Sequence, residues 1–118
     1  MKTRTILSLG LLGCLQITLA VKLNITEVKY TDGRPQRTAI VDLPYIDDSV
    51  LPKDQPCPEL PFFTREIRLM TETLTVPTKC YIKTEQCHNG LYILDNEEPY
   101  VYLTNGAAKT VRCFEEDE

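Results

Sequence analysis

Beyond residue 30 the apolar positions come in short runs cut by turn-forming residues, and the pattern predicts strands. Thr38 to Leu43 is a β-prone run. Glu66 to Val76 alternates: Ile67 and Leu69 share one parity, Met70, Leu74 and Val76 the other, and Thr71, Thr73 and Thr75 suit a half-exposed pleated surface. Leu91 to Leu94 is a further apolar run, and the runs Tyr100–Thr104 and Ala107–Phe114 flank Asn105-Gly106. An Asn-Gly pair tolerates the positive φ that a tight hairpin needs at both central residues. It predicts a hairpin pairing Thr104 with Ala107, Tyr102 with Lys109 and Tyr100 with Val111. Turns are also expected at residues 30–37, around Asn89-Gly90, and from Asp95 to Pro99. Pro44, Pro52, Pro56, Pro58 and Pro61 punctuate residues 44–61, each removing a donor and biasing its predecessor away from helix, and predict an extended, irregular connection that ends at Cys57. Phe62 and Phe63 then open a buried run. Four or more strands between closely spaced turns predict a small all-β fold, an antiparallel β-sandwich or barrel.

The one long apolar stretch, Ile6 to Leu15, lies at the N-terminus behind Lys2 and Arg4 and ahead of the small-residue site Thr18-Leu19-Ala20. This is the layout of a secretory signal peptide, residues 1–20, cleaved after Ala20. Its apolar core is shorter than the roughly 20 residues that span a bilayer, and no later segment is apolar enough, so no membrane span is expected after cleavage. The expected product is one secreted β domain, residues 21–118, passing through the lumen of the endoplasmic reticulum, with a mobile N-terminal segment and an acidic C-terminal tail.

Secretion changes how the cysteines read. Of five, Cys14 leaves with the signal, and Cys57, Cys80, Cys87 and Cys113 remain to staple a domain too small to rely on its core alone. It also gives meaning to Asn24-Ile25-Thr26, a glycosylation sequon whose acceptor is Asn24. Losing two of the thirteen basic residues leaves 11 against 17 acidic ones, a net charge of −6. That balance disfavours nucleic acid, which demands a basic footprint, and anionic membranes.

Candidate chemistry is sparse. The only histidine is His88, and the only serine after residue 20 is Ser49, in the proline-rich connection. There is no C-x-x-C pair for a metal and no glycine-rich phosphate loop. Asp47-Asp48 and Glu97-Glu98 are adjacent carboxylates that an extended chain points apart. No catalytic, metal or cofactor site is expected, so the chain reads as a non-enzyme. Most of the aromatic residues are expected in the core; the alternative for Tyr92, Tyr100 and Tyr102 is an exposed binding face.

One resemblance reaches further. Leu43-Pro44-Tyr45-Ile46-Asp47-Asp48, then Asp54-Gln55-Pro56-Cys57-Pro58, Ile67-Arg68, Cys80, and finally Thr110-Val111-Arg112-Cys113-Phe114-Glu115 occur in an order that resembles the secreted immunoglobulin-like accessory proteins of SARS-related coronaviruses, the product of open reading frame eight. The likeness covers residues 43–118, with little agreement between 83 and 104. The resemblance implies an immunoglobulin-like sandwich that binds host secreted or membrane proteins and modulates host immunity, with oligomerisation left open. It implies a Cys57–Cys113 disulfide, with Cys80–Cys87 by default. The second bond demands a very tight turn, since an extended chain would set these residues about 23 Å apart. The rival pairing, Cys57–Cys87 with Cys80–Cys113, suits a four-stranded meander. The alternative function is a non-viral secreted binding or inhibitor module, of effector or salivary type, on the same scaffold.

Overall fold

Glu59–Leu69 (β3) is the longest strand, and its buried positions change parity along its length. Leu60, Phe62 and Thr64 face inward in its first half, Ile67 and Leu69 in its second. The change falls at a bulge: Thr26 pairs with Glu66 but Glu27 pairs with Thr64, leaving Arg65 as the extra residue. A bulge bends the strand and turns its side chains over. The bend lets β3 serve two layers.

A computed structural model describes residues 20–83, 90–104 and 106–116. Around β3 stand Ala20–Glu27 (β1), Thr38–Pro44 (β2), Thr78–Lys83 (β4), Gly90–Asp95 (β5), Tyr100–Tyr102 (β6) and Ala108–Glu115 (β7). The ladders between them are antiparallel and run in the order β2-β1-β3-β7-β4-β5. β6 lies off this path. It pairs with the second half of β3, along the edge whose first half is taken by β7. The result is an all-β, disulfide-stapled antiparallel fold, built as one curled sheet with β3 common to both layers. After β2 the chain crosses to the other layer, where Tyr45 bridges Cys113 and the Ile46 amide donates to the Cys113 carbonyl at 2.9 Å. Val21, Leu23, Ile25, Ile67 and Leu69 from one layer meet Ile82, Leu94, Val111 and the paired cysteines from the other in a single core.

Several expectations need correction. Residues 21–27 are not a mobile segment: they form an interior strand, with Val21, Leu23 and Ile25 fully buried between β2 and β3. The run 66–76 is not one strand. It ends at Leu69, and Thr71–Thr73 makes a single 3-10 turn in which the Thr73 hydroxyl donates to the Met70 carbonyl, a local bond that competes with strand pairing. Phe62 is buried, whereas Phe63 is 42% exposed on the opposite face of the pleat.

The 100–114 hairpin is also replaced. β6 and β7 do not pair with each other but follow one another along β3, Tyr102 opposite Glu66 and Ala108 opposite Thr64. Asn105 lies outside the described residues; Gly106 has the positive φ, +80°, that favours glycine.

The turns at 30–37 and 95–98 form as the sequence suggests. The Asp95 carboxylate accepts from the backbone amides of Glu97 and Glu98 at 2.9 and 2.8 Å, a capped turn of the kind aspartate favours. The turn around Asn89 and His88 lies outside the described residues.

The Cys57–Cys113 bond is overturned. Cys80 and Cys113 face each other in the β4–β7 ladder, their Cα atoms 4.0 Å apart, and are joined by a disulfide. Strand register decides this: both side chains point into the core from directly opposed positions. Cys80–Cys87 is excluded with it. Cys57 is itself disulfide-bonded; Cys87 lies outside the described residues.

Candidate binding face

The four-stranded end of the curl, β2-β1-β3-β6, presents an outer face assembled by register. Asn24 stands directly opposite Ile40 on one side and Arg68 on the other, and Arg68 stands opposite Tyr100. Directly opposed residues share a face, so Ile40, Asn24, Arg68 and Tyr100 form one row. Thr38, Thr26, Glu66 and Tyr102 form the next. Ile40 is 57% exposed and Tyr100 and Tyr102 are each 51% exposed. They are outside the core because their neighbour Val101, of opposite parity, takes the buried position.

The charges on this face are matched within it. Lys22 donates to Asp42 at 2.6 Å, and the Arg68 guanidinium meets Glu72 at 3.3 and 3.4 Å. The Tyr100 phenol has its pKa raised, first by partial burial and then by the negative charge of the nearby Glu66 carboxylate. Arg65, extruded by the bulge, brings its guanidinium to 6.0 Å from the Tyr102 ring. What remains open is apolar and aromatic area with polar tips, a chemistry suited to protein contact.

The opposite layer is built differently. On the outer face of β4 and β7, Lys79, Tyr81, Lys83, Arg112 and Phe114, together with Asp48, Pro52 and Gln55, line a groove of about 430 Å³. Its central cation is committed to the fold. Arg112, 7% exposed, donates from Nε to the Pro56 carbonyl (3.2 Å) and from Nη2 to those of Pro52 (3.2 Å) and Gln55 (3.4 Å), holding residues 52–56 over the strand. Burial pushes the Lys83 ammonium pKa down, with the Arg112 charge adding to it. Lys79 pairs with Glu116 at 3.5 Å, and Tyr81 and Phe114 pack edge to face.

A third cluster went unforeseen. Glu27, 1% exposed, ends β1 on the buried parity. Its carboxylate accepts from the Arg37 backbone amide (3.0 Å), Arg37 Nε (2.9 Å), Arg37 Nη2 (2.6 Å) and the Tyr30 hydroxyl (2.7 Å). The Arg37 hydrogen bonds, set against burial, hold its pKa down at about 2. The signal was available in the sequence, because a carboxylate at the buried end of an alternating Val21-Leu23-Ile25 run must find a cation. This cluster closes the β1–β2 connection and offers no open coordination.

Of the residues weighed for chemistry, Asn24 is half-buried mid-strand with its side chain on the outer face. Ser49 bonds the Asp47 carboxylate at 2.7 Å in the loop, and Glu97 and Glu98 sit exposed in the Asp95 turn. His88 and Cys87 lie outside the described residues. Among the described residues no group of three or more His, Cys, Asp or Glu side chains is placed to hold a metal ion, and no helix is long and apolar enough to cross a membrane. No protein family, curated protein or solved structure matches the chain.

Proposed function

We propose that this protein is a secreted, non-enzymatic binding module that contacts host secreted or membrane proteins through the outer face of β2-β1-β3-β6. The observation that carries this reading is the pair Tyr100 and Tyr102, half exposed on a three-residue strand beside exposed Ile40. Tyrosine contributes contact area at low entropic cost and is enriched at interface hot spots. In its viral form, the one the sequence resemblance implies, the module is an accessory protein that modulates host immunity. A second form, a non-viral secreted effector or inhibitor, is favoured by one departure from that resemblance: Cys113 is bonded to Cys80 and not to Cys57.

The test is capture from host-cell extracts and medium by the secreted protein, freed enzymatically of any N-linked glycan, and by a Tyr100→Ala/Tyr102→Ala variant treated alike. Host proteins enriched by the first and lost with the second support the reading. Capture of nothing, or equal capture by both, contradicts it. The identity of captured proteins separates the two forms, immune receptors or signalling factors against enzymes or structural components.

A further inference from the structure

We propose that an N-linked glycan on Asn24 lies across Tyr100 and Tyr102 and so covers the tyrosine face. The sequon does not sit beside this face; it sits in it. Asn24 is in an interior strand, on the outward parity, in the same cross-strand row as Ile40, Arg68 and Tyr100. Two strand spacings separate it from β6, about 10 Å, within reach of the first sugars of an N-linked core. The floor between them is suited to a saccharide. Arg68 and Glu66 supply polar hydrogen-bonding groups, and the two tyrosine rings supply apolar area with a hydroxyl tip. On the other side of Asn24, among the described residues, the row ends at Ile40 on the edge strand β2.

The attachment precedes folding, because a paired interior strand offers its backbone to nothing else. The Asn24 amide nitrogen, Nδ2, attacks the anomeric carbon of an oligosaccharide carried on a lipid diphosphate. The N-glycosidic bond forms as the bond to the diphosphate breaks. The lipid diphosphate leaves with the electron pair, and the amide proton is lost to base. Folding then lays the glycan on the outer face, since inward rotation would drive it into Val21, Leu23 and Ile25, all fully buried. The glycosylated and bare proteins therefore present different surfaces, one of sugar and one of tyrosine. The consequence for partner binding rests on the reading of this face as the contact surface; the covering itself does not.

The experiment uses the full chain secreted from eukaryotic cells. Intact mass first reads occupancy at Asn24. Nitration by tetranitromethane is then mapped by peptide mass in the native glycoprotein, after enzymatic removal of the glycan, and in a Thr26→Ala variant that destroys the sequon while keeping Asn24. Tyr92, 43% exposed on β5 of the other layer, is the internal control. The expected result is severalfold slower nitration of Tyr100 and Tyr102 in the glycoprotein than in both bare forms, with Tyr92 unchanged. A secreted protein without a glycan on Asn24, or equal rates in all three forms, overturns the proposal. If the tyrosines are shielded yet the protein captures no partner in either form, the covering stands and the contact-surface reading falls.

Discussion

The two ends of the curled sheet are held by different means and leave different surfaces. The β5-β4-β7 end carries the Cys80–Cys113 bond through its core and has residues 52–56 bound over its outside by Arg112. The β2-β1-β3-β6 end has no disulfide among its described residues. It is closed at its hairpin by the Glu27–Arg37–Tyr30 cluster, and its outer face is open. On one layer Arg112, Tyr81 and Phe114 are tied into the fold, with Tyr92 and Ile93 exposed on its edge strand; the other keeps Ile40, Tyr100 and Tyr102 exposed on one face. The difference teaches where contact chemistry can change without unfolding the molecule.

The largest expected effect comes from breaking the stapled end. Replacing both cysteines, Cys80→Ala with Cys113→Ala, opens a loop spanning a sequence separation of 33, which the chain-entropy estimate sets at about 3–4 kcal/mol. Urea unfolding of the secreted protein checks it. Second is Arg112→Met, which strands three backbone carbonyls. A loss of about 2 kcal/mol is expected, together with new proteolytic cleavage within residues 50–57, read by limited digestion.

Third is the open end's own lock. Glu27 has its pKa lowered from 4.5 to about 2. A carboxylate depressed in the folded state contributes stability that is fully present above its unfolded value and is lost as pH falls through its folded one. The urea midpoint of the wild type should therefore drop between about pH 4.5 and pH 2, and a Glu27→Gln variant should lack that part of the drop. A variant with the same acid profile as the wild type would remove Glu27 from the account. The smallest effect on stability is expected from Tyr100→Ala with Tyr102→Ala, within about 0.5 kcal/mol by the same urea measurement, because both rings stand half in water.

Much of this contrast was legible in the residues, and where it was not the reasons are physical. Local chemistry read well: the Asp95 turn, the β2 run and the proline-bound connection form where composition put them. Pairing read badly. Asn105-Gly106 argued for a local hairpin, but β3 is long enough to take β7 along one half of its edge and β6 along the other, and that non-local choice leaves no local trace. The tyrosines followed from it. The expected hairpin set Tyr100 and Tyr102 opposite Val111 and Lys109; set opposite Arg68 and Glu66 they face outward. Cys80–Cys113 stood in the sequence as part of the rival pairing suited to a meander, and the β4–β7 register is what selects it. The mobile N-terminal segment was a different kind of miss, because Val21, Leu23, Ile25 and Glu27 already alternate with polar residues in the sequence.

The central claim is that the outer face of β2-β1-β3-β6, not the face of the β5-β4-β7 end, meets the partner. The most direct measurement places a photo-crosslinking amino acid at Tyr102 in one protein and at Ile93 in another. Ile93 is 45% exposed on the other layer, opposite Tyr81. Both proteins are bare of glycan through Thr26→Ala and are illuminated in host-cell medium and extract. The account predicts discrete crosslinked host species from position 102 and none of the same species from position 93. The same species from both positions, or from 93 alone, would contradict it.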